Sequence, residues 1–105
     1  MIPLENQEQF ESLLNPANKN PPQVVVYFSA SWCGPCSRLN HGLLEASFPN
    51  VTWLKCDIDQ NKYTMGYCGL KTIPSFAVIK NSKFLGKFSS SDTSTVIETL
   101  NEAFN

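Results

Sequence analysis

The chain has 105 residues, of which 42% are hydrophobic, 11% aromatic and 16% charged; this suits one globular domain over residues 1–105 and excludes a disordered, collagenous or coiled-coil chain. Eight basic side chains stand against nine acidic ones, a formal charge of -1, so no cationic surplus exists to bind a phosphate backbone and no nucleic-acid partner is expected. The longest strongly apolar run, Val24 to Phe28, falls far short of the ~20 residues of a membrane span, and no membrane association is expected.

In chain order, Met1-Ile2-Pro3-Leu4-Glu5-Asn6 carries neither the basic nor the apolar region of a secretion signal. A cytoplasmic protein is therefore expected, in a reducing compartment where its four cysteines serve as free, metal-bound or redox-active thiols. Asn6 and Gln9 form the pattern of a capping box, and Phe10, Leu13 and Leu14 supply the apolar stripe of a first helix. The Pro- and Asn-rich stretch from Asn15 to Gln23 is a connection. Val24 to Ala30 is β-branched, aromatic and continuously apolar, as a strand buried on both faces should be.

A helix is predicted from about Pro35 to Ser47. Val51 to Ile58 is a second buried strand, interrupted by Lys55 and Asp57. Gln60 to Cys68 is a short helix ended by Gly69. Ser75 to Ile79 and Lys83 to Phe88 are strands joined by a tight turn at Asn81-Ser82. A last helix begins near Asp92 and lines up Val96, Ile97, Leu100, Ala103 and Phe104. The strand–helix–strand unit predicts a parallel pair with a right-handed crossover, and the hairpin an antiparallel one. The expected fold is α/β: a central mixed sheet with helices on both faces.

The chemistry is concentrated in Trp32-Cys33-Gly34-Pro35-Cys36, where the first buried strand turns into a helix. Two thiols three positions apart can close a small disulfide ring. On a helical wheel Cys36 falls with Leu39, Leu43 and Ala46 on the core-facing edge, whereas Arg38, His41 and Glu45 fall toward water. Cys33 stands on the first exposed turn, where unpaired N–H groups and the positive end of the helix favour the nucleophilic thiolate. Pro35 suits that turn because its missing N–H would find no helical acceptor. The expected reaction is attack by Cys33 on a substrate disulfide, followed by attack of Cys36 on the mixed disulfide. An inert pair or a zinc clip is the alternative, but zinc needs two more ligands. Cys56 and Cys68, in a strand and at a helix end, do not form a second knuckle.

With Trp32–Cys36 and the segment Thr72-Ile73-Pro74, the chain resembles the thioredoxin family from end to end. The resemblance implies the thioredoxin fold and a thiol–disulfide oxidoreductase, mainly a general protein disulfide reductant. No bound cofactor is expected, since both electrons reside in the reversible Cys33–Cys36 disulfide. The implied partners are disulfide-containing proteins and an NADPH-dependent thioredoxin reductase, with the protein a monomer. Gly34 and Pro35 are similar to the pair found in reducing members. The resemblance also implies a cis Ile73–Pro74 bond beside Cys33, an Ile73 backbone that pairs with extended substrate, and a contact surface containing Trp32. A non-catalytic binding module and a more oxidising isomerase are the rival functions; an intact Cys-Gly-Pro-Cys argues against the first, and redox poise decides the second.

Several positions depart from the family pattern. Tyr27 stands where a buried aspartate is usual, six positions before Cys33, while the aspartate's lysine partner is retained as Lys55. A phenol, with a reference pKa of about 10, is a poor base near neutrality. Resolution by Cys36 is therefore expected to be slower than in a relative that keeps the carboxylate. Lys55 is expected to snorkel or to pair with Asp57. His41 replaces a helix-kinking proline and is expected to face solvent; Ser90 replaces a glycine near the substrate groove. Cys56 is expected to be a buried small apolar residue and Cys68 a helix-end packing residue, with a regulatory disulfide or dimer contact at Cys68 as the alternative.

Overall fold

A segment such as Val24–Phe28, which has no polar side to give to water, must have protein on both of its faces. In the structure, a computed structural model that describes residues 1–104, it forms the middle of a five-stranded mixed sheet. The strands are β1 (Ile2–Pro3), β2 (Gln23–Ser29), β3 (Val51–Asp57), β4 (Ser75–Lys80) and β5 (Lys83–Ser89), and the helices are α1 (Gln7–Leu13), α2 (His41–Ser47), α3 (Lys62–Tyr67) and α4 (Thr93–Phe104). Across the sheet the order is β1-β3-β2-β4-β5. β1 and β2 run parallel to β3, while β4 runs antiparallel to β2 and β5. β1 was not anticipated: Pro3 and two-residue length hide it, and the Leu4 N–H secures it by donating to the Lys55 carbonyl at 2.8 Å.

Period-two alternation divides the core. Val25, Tyr27, Trp53, Phe76 and Val78 face one side, where Leu44, Val96 and Leu100 cover them from α2 and α4. Val24, Val26, Phe28, Leu54 and Ile79 face the other, beneath Phe10 of α1 and Cys68 at the end of α3. Cys33 and Cys36 belong to the first side. Among the described residues no helix is long and apolar enough to cross a membrane.

Local chemistry sets the element boundaries. Asn6 Oδ1 accepts from the Gln9 N–H at 2.9 Å, and Gln9 Oε1 reaches back to the Glu5 N–H at 2.7 Å, so the capping box closes one residue earlier than the simplest pattern. Asn40 and Asn61 cap α2 and α3 in the same way, and Asp92 Oδ2 accepts from the Thr95 N–H in the first turn of α4. Gly69, at φ 72°, ends α3 in the left-handed conformation that a side chain disfavours. Asn81 and Ser82, at φ 55° and 62°, make the mirror-image turn that suits the twist of the β4–β5 hairpin.

One predicted element is corrected. Pro35 to Ser47 is not a single helix: a four-residue 3-10 turn (Pro35–Arg38) ends at Leu39, whose ψ of 137° is extended, and α2 begins anew after Asn40. Two bonds hold the break. Asn40 Oδ1 accepts from the Leu43 N–H at 3.0 Å, and the Asn40 N–H donates to Thr93 Oγ1 at 3.0 Å. The helical wheel therefore holds as far as Leu39 and fails beyond it: Leu43 and Ala46 are exposed, while Leu44 and Phe48 are buried in their place.

Candidate active site

β2 delivers the chain to the edge of the first core and ends three residues before Trp32 and four before Cys33. A turn follows, closed by the Cys33 N–H donating to the Ala30 carbonyl at 3.1 Å. Cys33 and Cys36 are joined as a disulfide with Cα atoms 5.4 Å apart. Beyond it the Ser37 N–H and hydroxyl both donate to the Gly34 carbonyl, at 3.1 and 2.6 Å. Pro35 occupies the first position of the 3-10 turn, where no N–H is required. A Cβ on Gly34 would meet nothing within 4 Å, so packing does not demand glycine there.

The expected contrast between a water-facing Cys33 and an interior Cys36 is not present in this oxidised state. Cys33 is 8% exposed and Cys36 5%, and both belong to the same buried cluster. Nor is there a long helix whose dipole ends at Cys33. The asymmetry is in hydrogen bonding: the Cys36 backbone N–H donates to Cys33 Sγ at 3.2 Å. A direct donor at that sulfur favours negative charge there more locally than a helix terminus would.

Ile73 packs against the cluster that holds both sulfurs, and the Ile73–Pro74 peptide is cis. Pro74 is buried at the start of β4. Trp32 is 64% exposed, and its indole N–H donates to Asp59 Oδ2 at 2.8 Å. Asp59 was not singled out from the sequence; nothing local marks an acid just past a strand as the partner of a distant indole. Tyr67 is exposed and makes an edge contact with Phe10, while Ser90 accepts from the Asp92 N–H ahead of α4.

Tyr27 lies buried on the disulfide's side of the sheet, with its ring 5.3 Å from Phe76 and 5.1 Å from His41. Burial pushes its phenol above the usual value, partly opposed by the Ser29 hydroxyl, so even less of it is ionised near neutrality than in water. Lys55 is exposed rather than buried, and among the described residues no ion pair joins it to Asp57. Asp57 Oδ1 accepts from the Asp59 N–H at 2.9 Å instead, leaving water to solvate the ammonium.

His41 is the larger correction. The break at Leu39 rotates it out of its expected solvent-facing position onto Tyr27, where its Nε2 is sealed from solvent and has no hydrogen-bond partner. With Met1, Tyr27, Glu45 and Lys55 it lines a cleft of about 250 Å3. Burial first, and then the Lys55 ammonium, hold its imidazolium pKa below the ordinary value.

Cys56 and Cys68 are free thiols, both buried. Burial pushes Cys56 up to about 12, helped by Asp57 and Cys68, and Cys68 up to about 11. Neither is a thiolate near neutrality, which disfavours exchange at either. That pair can take up two electrons by opening its disulfide and return them by closing it. Among the described residues no three His, Cys, Asp or Glu side chains gather as a metal site.

Comparison with known proteins agrees with this geometry. A family model described as Thioredoxin matches residues 2–102. The chain is 34% identical over 102 residues to thioredoxin of Bos taurus, covering 94% of each chain, and 33% identical to that of Homo sapiens, again with 94% of each covered. Among solved structures, mitochondrial thioredoxin 3 of Saccharomyces cerevisiae in its oxidised form superposes with a TM-score of 0.83 at 26% identity, over 97% of this chain and 94% of that one. Fasciola hepatica thioredoxin gives 0.81 at 30% identity, over 97% and 98%. With its redox-active disulfide on the matching fold, the chain belongs to the thioredoxin family and is a thiol–disulfide oxidoreductase, a protein-disulfide reductase.

Proposed function

We propose that the protein is a general reductant of protein disulfides in which Cys33 is the attacking thiolate and Cys36 the resolving thiol. The observation that carries the assignment is the Cys36 N–H donating to Cys33 Sγ: when the pair is reduced, the same donor stabilises charge on Cys33 and does nothing comparable for Cys36. Cys33 Sγ attacks a substrate disulfide, one substrate sulfur leaves as thiolate, and a mixed disulfide forms. Cys36 then attacks Cys33 Sγ, expels the second substrate thiolate and restores the observed disulfide. The exposed ring of Trp32 and the Ile73 backbone leading into buried Pro74 receive the substrate, an extended segment pairing along Ile73. Gly34, Pro35, Tyr27 and Lys55 tune the pair, the first two through the turn and the last two from the cleft side.

No bound cofactor enters the cycle, because the two sulfurs carry the electrons themselves. Thioredoxin reductase is the proposed recycling partner and electron transfer to substrate proteins the proposed role, both supported by the family; the cytoplasm is the proposed compartment. Reduction of insulin disulfides, with and without a thioredoxin reductase, tests the proposal. Wild type is expected to turn over. Cys33→Ser is expected to abolish activity, and Cys36→Ser to accumulate a mixed disulfide at Cys33. Turnover by Cys33→Ser, or adducts on residue 36 in its place, would refute the assignment.

A further inference from the structure

The buried imidazole edge of His41 has no part in the exchange as described so far. A half-buried histidine with one ring nitrogen sealed from solvent and unpartnered is costly unless that nitrogen is used. The proposed exchange, on which this inference rests, leaves a chemical need unmet. Cys36 is 5% exposed, which hinders direct passage to bulk water of the proton its thiol must lose before attack, and a base on the same side of the sheet would speed that step.

The structure narrows the choice. The titratable and charged groups facing His41 are Tyr27 from β2, Lys55 from β3, Glu45 from its own helix and the amino group of Met1. Lys55 and the Met1 amino group are cations and accept nothing. Glu45 Oε1 is bound to the Met1 amino group at 2.7 Å. The Tyr27 phenol is already protonated, and burial makes it harder to ionise. His41 is held neutral near pH 7 by its surroundings, and its buried Nε2 has no hydrogen-bond partner, so in the Nδ1–H tautomer that nitrogen is a free acceptor. Its ring lies 5.1 Å from that of Tyr27, which shares the buried cluster of Cys33 and Cys36, and it also borders the cleft of about 250 Å3.

We propose that His41 Nε2 is the proton acceptor for the resolving cysteine, taking the proton of the buried Cys36 thiol on the interior side and releasing it through the cleft bordered by Lys55 and Glu45. The step balances. The Cys36 S–H bond breaks and its proton moves to the imidazole; the Cys36 sulfur forms a bond to Cys33 Sγ as the bond from Cys33 to the substrate sulfur breaks. The substrate sulfur leaves with the electron pair as a thiolate, and the imidazolium, disfavoured by burial and by Lys55, gives its proton to water.

The test is stopped-flow reaction of the fully reduced, full-length protein with dithiobis(nitrobenzoate), which releases one coloured thiolate when Cys33 attacks and a second when Cys36 resolves. In wild type the second phase is expected to titrate with an inflection below 6.5, the ordinary imidazole value. His41→Gln is expected to keep the first phase, which also reports a folded site, to slow the second roughly 100-fold, the lower end of what a positioned base contributes, and to remove the inflection. His41→Asn provides a second, smaller replacement. His41→Ala is expected to regain a fast second phase when imidazole is added, which a packing role would not produce. The inflection is expected to persist in Tyr27→Phe. A second phase in His41→Gln with wild-type rate and inflection would overturn the proposal. So would slowing that retains the inflection and is not rescued by imidazole, or loss of the inflection in Tyr27→Phe. Release of no second thiolate by wild type would instead refute the assignment of the Cys33–Cys36 exchange itself.

Discussion

Asn40→Ala probes the residue that sets the phase of α2. The substitution removes the side-chain oxygen that accepts from the Leu43 N–H at 3.0 Å, but leaves the backbone N–H that donates to Thr93 Oγ1. Loss of an asparagine cap costs about 1 kcal/mol. For a domain of this size that lowers Tm by about 4–8 °C. The break itself should survive, because Leu44 and Phe48 are buried only when α2 starts at His41. Each such side chain contributes ~1.5–3 kcal/mol, more than the cap. Thermal unfolding followed by circular dichroism measures the first effect. The second is read by NMR titration of His41, the one histidine in the chain, whose midpoint should stay below 6.5. A Tm within a degree of wild type would show that the cap contributes nothing. A histidine midpoint restored to the ordinary value would show that the helix now runs through residue 40 and that packing does not hold the break.

The other predictions follow from the same geometry. Tyr27→Asp should shorten the life of mixed disulfides in quenched flow, but losing a ring stacked on Phe76 and tilted against His41 should cost about 3–5 kcal/mol; an unchanged lifetime would show that the missing carboxylate does not limit resolution. In the reduced native protein, iodoacetamide at mildly alkaline pH should label Cys33 first, and should reach Cys56 and Cys68, with thiols at about 12 and 11, only on unfolding; peptide mass mapping reads the order, and early labelling of Cys56 would contradict its burial. The folded state disfavours the His41 imidazolium, so as pH falls below about 6.5 the unfolded chain binds a proton that the folded one does not. Stability should therefore drop from that point until His41 protonates in the folded state, and urea midpoints of His41→Gln should lack this component. Gly69→Ala forces a side chain to φ 72° beside the Lys87 ammonium, which donates to the Gly69 carbonyl at 2.9 Å; a loss of about 1–2 kcal/mol is expected in urea unfolding.

The reaction and the residue that assists it belong to different levels of organisation. A disulfide between cysteines three positions apart needs only one turn of chain, so Trp32–Cys36 is complete within itself. The donor that favours charge on Cys33 is local too, but what shields and unloads the pair comes from other segments. Asp59 bonds Trp32, Ile73 packs on the cluster that holds the sulfurs, and Thr93 helps to hold Asn40 out of the helix so that His41 reaches Tyr27.

The amino-acid sequence by itself determined the fold class, strands β2 to β5 and the redox pair, because alternation of apolar residues, turn chemistry and the spacing of two thiols act over a few neighbouring residues. Even the hairpin turn at Asn81-Ser82 and the end of α3 at Gly69 were legible at that range. Only the tertiary structure decided the edge strand β1, the break at Leu39, the burial of both cysteines, the exposure of Lys55 and the inward turn of His41. Each of these is settled by contacts between distant segments, such as Leu4 with Lys55 and Asn40 with Thr93. A helical wheel assumes an unbroken helix, whereas packing and hydrogen bonds from other parts of the chain decide where the helix breaks and which residues turn inward.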